Sequence, residues 1–447
     1  MIQKKDDNPN PVIRRIAVKV ICVFKTPALI GSGMEDNTDN DIIRYSSEDP
    51  FQPGNPYLPG STIAGKLKSI CPEADALFGI NDNASPLWVF DAELPDNVIE
   101  LDGVALDPKN KVAYDKKKYD FEAIDAGSPF TLRLLLTIRK AEIGKDYETL
   151  LCKLLGALEH GEVSFGAKTN RGFGMVEHIS ACQQCFEFTN VNKTDLEKWL
   201  EFDWKNSEGW EKASAIEFES PDSKLVATLK LDGSIMIRDT RNIYEDMQSD
   251  AKAPDYKHIS LGSRPVILGT SWAGAFRSGL YRLLKRNFPD KAESYLNEIF
   301  GYVLDENDDE SGDENDDSTS AAAQASLIVF GASFLEATDK KTEGYRSITR
   351  VKIDRFTGGA ADGALFTEMP WYGGKTTLEI RFPKERADIR ELLLLGLDCI
   401  NKGLIQIGGE SSIGRGFFTV TNVKIDGTDV EISDPKPRLV EKVGGIA

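Results

Sequence analysis

Two stretches decide the architecture of this 447-residue chain: residues 164–176, SFGAKTNRGFGMV, and residues 406–418, QIGGESSIGRGFF. Both fit the pattern G-[AG]-x-[ST]-[NS]-x-G-x-G. Each follows a segment of helical periodicity and precedes a segment of strand type. A self-similar motif at such a distance indicates that one structural module occurs twice.

Three further pairs of segments repeat in the same order along the chain. They are NPYLPGSTIAGKLKSI (55–70) with SRPVILGTSWAGAFRSGL (263–280), LFG (77–79) with IFG (299–301), and LWVFDAEL (87–94) with LIVFGASF (327–334). Ordered matches that include apolar strands and helix starts require a common module. The sequence therefore predicts a tandem duplication.

Hydrophobic periodicity predicts the same elements in each copy. The order is strand, helix, strand, strand, helix, strand, which is typical of an α+β, ferredoxin-like (RRM-like, split βαβ) module. In the first copy we expect strands at 15–24, 87–90 and 130–138, a helix capped by Ser61 or Thr62 and ending at Ile70, and a helix over 147–160. In the second we expect strands at 225–231 and 377–382, a helix from Thr270 and a helix over 386–402.

These expectations give domain boundaries. The first module spans 13–190, a linker 191–215, the second module 216–432 with an insertion at about 303–324, and a tail 433–447. The insertion contains DENDDESGDENDD (305–317), which holds nine acidic side chains, half of the formal net charge of -18. Such a run is typical of a disordered, solvated loop.

Composition favours a cytoplasmic protein without a membrane segment. The N-terminus has no apolar core of signal-peptide type, and no stretch approaches the ~18 apolar residues that a membrane span needs. Six dispersed cysteines indicate buried thiols and not a disulfide framework.

The repeated motifs combine glycines with cations, a pattern typical of anion binding. Glycines allow main-chain N–H groups to approach phosphates, and helix N-termini with nearby cations suit a sugar-phosphate backbone. The alternative for each is a tight structural turn or a surface lysine. The candidate RNA-binding residues are Gly60, Ser61, Lys66, Lys68, Lys168, Arg171, Gly172, Gly174, Thr270, Ser271, Arg277, Gly414, Arg415 and Gly416.

The strings PYLPGSTIAGKLKS, VFDA and FGAKTNRGFG in the first copy, and LGTSWAGAFRS and IGGESSIGRGF in the second, resemble the RAMP superfamily. The similarity is greatest to backbone subunits of type III CRISPR effector complexes, and a fused pair resembles the double backbone proteins of type III-D-like systems. The resemblance implies binding to CRISPR guide RNA and target RNA beside other backbone, small and large subunits.

The resemblance also implies a catalytic aspartate that opens a D-x-x-[VI]-I run, and a thumb hairpin that wedges into the guide-target duplex. DNDIIR (39–44) makes Asp39 the first candidate, and DYKHI (255–259) makes Asp255 the weaker second. Either can instead be a solvated loop carboxylate. Thumb candidates are the basic residues 104–122 and residues 351–368, with Arg355 and Phe356.

A lone aspartate can cut RNA if a divalent cation, Mg²⁺ or Mn²⁺, organises attack by the 2′-hydroxyl group. Asp36 and Asp41 are close enough in sequence to share that ion.

The chain has only three histidines, which disfavours a histidine-dependent ribonuclease in both modules. His178, Cys182 and Cys185 have zinc-type spacing, but they lack an evident fourth ligand and we interpret them as packed thiols. Two alternatives stay open: a non-catalytic RNA-binding scaffold, and a ferredoxin-like assembly protein that binds no RNA.

Overall fold

The computed structural model describes residues 10–33, 38–46, 54–79, 84–106, 113–161, 163–188, 193–206, 208–239, 253–302 and 324–432. The acidic insertion lies outside them, apart from Gln324. The chain forms two compact units, each discontinuous in sequence. The first comprises Met1–Ile99, Phe121–Ala167 and Gly174–Ser220; the second comprises Glu100–Asp120, Lys168–Phe173 and Pro221–Ala447. The turn of the first glycine loop therefore belongs to the second unit.

The first unit is built on an antiparallel sheet. Its strands are β1 (Val12–Phe24), β2 (Tyr57–Leu58), β3 (Leu87–Val89), β4 (Ala92–Glu93), β7 (Pro129–Arg139), β8 (Val176–Glu187) and β9 (Glu211–Lys212). Strands β5 (Val98–Leu106) and β6 (Ala113–Ile124) pair as a hairpin, of which Glu100–Asp120 are counted with the second unit. The five-stranded sheet has the order β3-β7-β1-β8-β9. Alternate residues of β1, from Ile16 to Phe24, are buried, as expected for a strand with one face on the core.

Helices α1 (Gly60–Ile70) and α2 (Tyr147–Glu159) supply the rest of this core. Ile63, Leu67, Leu151 and Leu154 pack with the β1 residues, because their spacing places them on one helical face. Helix α1 ends at the predicted residue, and α2 ends one residue before the predicted one. The predicted cap of α1 was wrong, since Pro59 is the N-cap residue and makes no side-chain cap bond.

Aromatic residues cover the other face of the first sheet. Helix α3 (Lys193–Leu200) and the segment after it lie in the region predicted to be a linker. Trp199 stacks on Phe202 with ring centres 5.3 Å apart, and Arg15 of β1 lies 4.3 Å from the Trp199 ring centre. Lys19 lies 4.1 Å from the ring centre of Trp210. The sheet face is thus closed by stacked rings and cations.

The second unit repeats the arrangement. Its main sheet contains β10 (Asp222–Asp232), β16 (Val329–Phe330), β22 (Lys375–Pro383), β23 (Phe417–Ile425) and β24 (Thr428–Asp429), in the order β16-β22-β10-β23-β24. Helices α4 (Gly269–Asn287), α5 (Ala292–Phe300) and α6 (Ala387–Asn401) pack on it. Trp272, Phe276, Phe330 and Leu392 are fully buried in this core.

Short strands complete the second unit. They are β11 (Ser234–Ile235), β12 (Arg238–Asp239), β13 (Tyr256–His258), β14 (Ser260–Leu261), β15 (Arg264–Ile267), β17 (Ser333–Phe334), β18 (Gly344–Tyr345), β19 (Ile348–Ile353), β20 (Ala360–Met369) and β21 (Trp371–Tyr372). Strands β19 and β20 form a long hairpin whose second strand also pairs with β13.

The predicted α+β content and repeated element order are confirmed. No helix in the described ranges is both long and apolar enough to cross a bilayer.

Candidate functional site

The two glycine loops have the same backbone conformation. Lys168 and Glu410 occupy equivalent positions at φ 56° and 60°, and each precedes a 3₁₀ turn. Gly172 and Gly414 end those turns at φ 80° and 88°. A left-handed backbone at a residue other than glycine is uncommon. Its occurrence at matching places shows that the duplication preserved the shape of the loop.

The last glycine of each loop is required by close backbone approach. A Cβ at Gly174 would lie 1.8 Å from the carbonyl oxygen of Phe165, and one at Gly416 would lie 2.0 Å from that of Ile407. Both distances exclude any side chain. These glycines therefore shape the loop, whether or not they contact a ligand.

The second unit brings three of the predicted cations into one cluster: Lys168, Arg171 and Arg277. The Lys168 ammonium donates to the Tyr119 hydroxyl at 3.1 Å and lies 4.4 Å from that ring's centre. Burial, together with the charge of Arg171, lowers the pKa of Lys168 to about 8. Sequence patterns gave no signal for Tyr119, which is far from Lys168 along the chain.

Arg277 on α4 belongs to the same cluster. Its guanidinium donates to the Asn297 side-chain oxygen at 2.7 Å, and burial followed by the nearby Arg171 charge lowers its pKa. Arg171 itself is exposed. The charge of Arg171 adds to burial in lowering the pKa of both Lys168 and Arg277, while Glu293 opposes it at Arg277, so an anion would stabilise this cluster.

The start of α4 lies against this cluster. A Cβ at Gly269 would lie 2.4 Å from the carbonyl oxygen of Arg171, so only glycine permits the approach. Thr270 and Ser271 follow in the first helical turn and are half-buried. The positive end of the helix dipole adds to the potential of the cations here.

Helix α1 begins differently. The amide of Gly60 donates to the Asp91 carboxylate at 2.7 Å, so a side chain of the protein already binds this helix start. The second copy has Gly331 at the position of Asp91. Ser61 is exposed and Lys66 half-buried, while Lys68 lies 3.9 Å from Asp75. Asp91 thus partly neutralises the positive potential at the start of α1, whereas the matching position in the second copy is a glycine.

Arg415 of the second loop lies inside the protein. It is 2% exposed and forms ion pairs with Glu368 and, at 2.5 Å, with Glu410. Glu368 also binds Arg350 of β19 at 2.7 Å. These carboxylates take up the charge of Arg415 within the fold. Its assignment as an RNA contact stays a prediction, and Gly414 provides the exposed backbone beside it.

Asp39 lies on an exposed bend held by its neighbours. Thr38 donates to the Asp41 carboxylate through both its amide and its hydroxyl group, each at 2.9 Å. Asp41 is 6% exposed, so its carboxylate shapes the bend. Asp36 lies outside the described residues.

The hydrogen-bond register makes Asp39 and Asp255 equivalent. Ile43 donates its amide to Ile30 in the first unit, and Ile259 donates its amide to Ile237 in the second. Counting back four residues from each donor reaches Asp39 and Asp255. The D-x-x-[VI]-I motif aligns the same two aspartates, so the motif and the hydrogen-bond register agree on this pair.

The Asp255 carboxylate has a different environment from Asp39. It accepts a hydrogen bond from the Thr367 amide at 2.6 Å, and the Asp255 amide donates to the Thr367 carbonyl at 2.7 Å. Asp255 is half-buried, whereas Asp39 is exposed. The second aspartate thereby joins β13 to β20.

The β19–β20 hairpin has an exposed aromatic tip. Phe356 is 98% exposed, next to Arg355. The Asp354 carboxylate accepts from the Thr357 amide at 2.7 Å, the Thr357 hydroxyl at 3.0 Å and the Phe356 amide at 2.9 Å, which lowers its pKa and fixes the turn. In the first copy, the tip of the predicted thumb lies outside the described residues.

His178, Cys182 and Cys185 are distributed along β8. Cys182 pairs with Lys19 and Cys185 with Ile16 across the sheet. Side chains three residues apart on a strand point to opposite faces, so these two thiols diverge. Within the described ranges, no group of three or more histidine, cysteine, aspartate or glutamate side chains is placed to hold a metal ion.

A family model described as "RAMP superfamily" matches residues 21–177 and 253–419. The chain belongs to the RAMP superfamily. The two matched regions contain both glycine loops, both aspartates and the β19–β20 hairpin. Members of this superfamily are in general CRISPR-associated RNA-binding proteins. No curated protein matches the sequence.

Proposed function

We propose that this RAMP protein is a backbone subunit of a type III CRISPR ribonucleoprotein, with ferredoxin-like modules that bind guide RNA through its phosphates. The observation that supports this most is the cluster of Lys168, Arg171 and Arg277 beside the start of α4. A bound phosphodiester would offset both the burial and the nearby Arg171 charge that lower the pKa of Lys168 and of Arg277. Contacts to phosphates do not depend on the base sequence, as is required of a protein that binds guide RNAs of different sequence.

We further propose that Asp39 takes part in cutting the paired target RNA. The 2′-oxygen would attack the neighbouring phosphorus while the bond to the 5′-oxygen breaks, leaving a cyclic phosphate and a 5′-hydroxyl. The 2′-hydroxyl gives up its proton and the 5′-oxygen gains one. The anchored bend would hold Asp39 beside the scissile phosphate, and such positioning supplies much of the rate.

One exposed carboxylate suits Mg²⁺ or Mn²⁺ that is held mainly by RNA phosphates and water. A bound divalent cation would stabilise charge on the phosphate and acidify the attacking hydroxyl. Asp39 is the described residue that we assign to it. Asp41 does not fit this role, because its carboxylate accepts two bonds from Thr38.

The two modules would then differ in activity. Asp255 is equivalent to Asp39 in register, yet its carboxylate joins two strands. We expect Asp39→Ala to remove one set of target fragments in an assembled complex that contains magnesium or manganese. Asp255→Asn, which keeps an acceptor for the Thr367 amide, distinguishes a catalytic from a structural carboxylate. Loss of fragments in this variant would assign a second cutting site.

The RNA-binding proposal has a direct test. Lys168→Met combined with Arg171→Met should weaken RNA binding by the purified chain about ten-fold or more at low salt. Lys198→Met on α3 is the matched control, since that lysine is exposed in the first unit. Unchanged affinity in the double variant would contradict the proposal. An intact target with both metals would instead favour a non-catalytic scaffold, and a complex free of RNA would favour an assembly protein.

A further inference from the structure

Glu122 of strand β6 binds the bend that carries Asp39. The Glu122 carboxylate accepts a hydrogen bond from the Ile42 amide at 3.0 Å, and the Glu122 amide donates to the Asn40 carbonyl at 3.1 Å. Its side chain and main chain thus bind the chain on both sides of Asp41. Glu122 lies two residues before the end of β6.

The bend is also held by bonds among its own residues and to the segment before it. The Ser32 amide donates to the Asp41 carbonyl at 2.8 Å, and the Thr38 bonds to Asp41 close the bend internally. Those contacts set the shape of the bend. The Glu122 contacts set its place relative to the strand returning from the hairpin.

In the second unit Glu368 stands at the position of Glu122 and pairs with Tyr256, but its carboxylate binds Arg350 and Arg415. There the Asp255 carboxylate itself accepts the amide of Thr367, a residue of β20, which is the returning strand of its own hairpin. In the first unit this connection is made by Glu122. Asp39 itself is exposed in the bend.

We propose that Glu122 is a positioning residue that holds Asp39 at the scissile phosphate by fixing its bend to the end of β6. The inference rests on the proposed cutting role of Asp39. Because a charged acceptor forms the stronger hydrogen bond to an amide, truncating Glu122 should let the bend shift. A displacement of about 1 Å at a reacting group costs roughly a hundred-fold in rate.

The test compares five assembled complexes with guide RNA and matching target: unaltered chain, Asp39→Ala, Glu122→Ala, Glu122→Gln and Glu142→Ala. Glu142 is the matched control, because its carboxylate accepts the Arg139 amide at 2.8 Å in the same unit. Single-turnover cleavage and target affinity are measured separately. A purely structural loss would change both, whereas a positioning loss changes the cleavage rate alone.

We expect Glu122→Ala to cut about ten- to a hundred-fold more slowly at unchanged target affinity. Glu122→Gln, which keeps a carbonyl acceptor, should recover most of that loss, and Glu142→Ala should cut normally. If Glu122→Ala cuts normally while Asp39→Ala does not, or if glutamine fails to restore cutting, the positioning role is wrong. If Asp39→Ala cuts normally, the proposed role of Asp39 is wrong, and the role of Glu122 is overturned with it.

Discussion

RNA binding by this chain should weaken as the pH rises through about 8, because Lys168 must be charged to bind a phosphate. Its pKa is lowered from 10.5 to about 8 by burial and by Arg171. Bound phosphate would raise the pKa again, so binding takes up a proton wherever the free ammonium has lost one. The affinity therefore falls with rising pH.

The magnitude follows from the titration. A group with a pKa of about 8 is roughly nine-tenths protonated near pH 7 and about one-tenth protonated near pH 9. The affinity should fall by up to about ten-fold over this interval, or about 1.4 kcal/mol, with solvent screening reducing the figure. Folding responds in the opposite sense. The unfolded chain binds more protons between about 8 and 10.5, so the contribution of Lys168 to stability rises with pH.

The assay is fluorescence anisotropy with an oligoadenylate, whose bases do not ionise in this interval, at constant low salt. Lys168→Arg is the decisive variant, because arginine stays charged throughout and should bind with a flat pH profile. Lys168→Met should bind more weakly, also with a flat profile. A flat profile for the unaltered chain, or an equally steep one for Lys168→Arg, would refute the reasoning.

Four other outcomes follow from the contacts. Glu368→Ala should lower the free energy of unfolding by about 3–5 kcal/mol, because it leaves the buried Arg415 without that partner; a loss below about 1 kcal/mol in denaturant titration would contradict this. Trp199→Ala should cost about 3 kcal/mol by the same measurement through lost aromatic packing. Asp255→Ala should destabilise by about 1–3 kcal/mol and Asp39→Ala by less than about 0.5, so equal losses would argue against their different environments. Phe356→Ala should leave the melting temperature unchanged, since the ring is 98% exposed, but slow target cutting if the hairpin enters the duplex.

Hydrophobic periodicity predicted α1, α2, α4 and α6 and the main strands of both sheets, because those signals are local, but it predicted neither α3 nor α5. The boundaries of β1, α2 and α6 lie within a few residues of the predicted ones. The left-handed backbone at Lys168 and Glu410 was not predicted, because neither residue is a glycine. Residues 191–215 were harder, because their composition is polar; their rings form a cluster only once the sheet provides Arg15 and Lys19 to stack against.

The candidate site could be predicted only in part, because a sequence shows which residues are charged but not which residues they pair with in the fold. Lys168 and Arg415 look alike as loop cations. The first faces Tyr119 and other cations, whereas the second is neutralised by Glu368, a residue of β20. Asp91 and Glu122 were missed for the same reason. Each acts on a backbone amide that is distant along the chain.

The matching left-handed residues of the two glycine loops also bear on the history of the gene. Lys168 and Glu410 hold the same backbone angle with opposite charges, so the copies retained a shape while their electrostatics diverged. The conformation of the loop thus does not depend on the charge of the residue at its left-handed position. The reciprocal substitutions Lys168→Glu and Glu410→Lys would test whether exchanging these two charges exchanges the RNA affinities of the two loops while the fold stays intact.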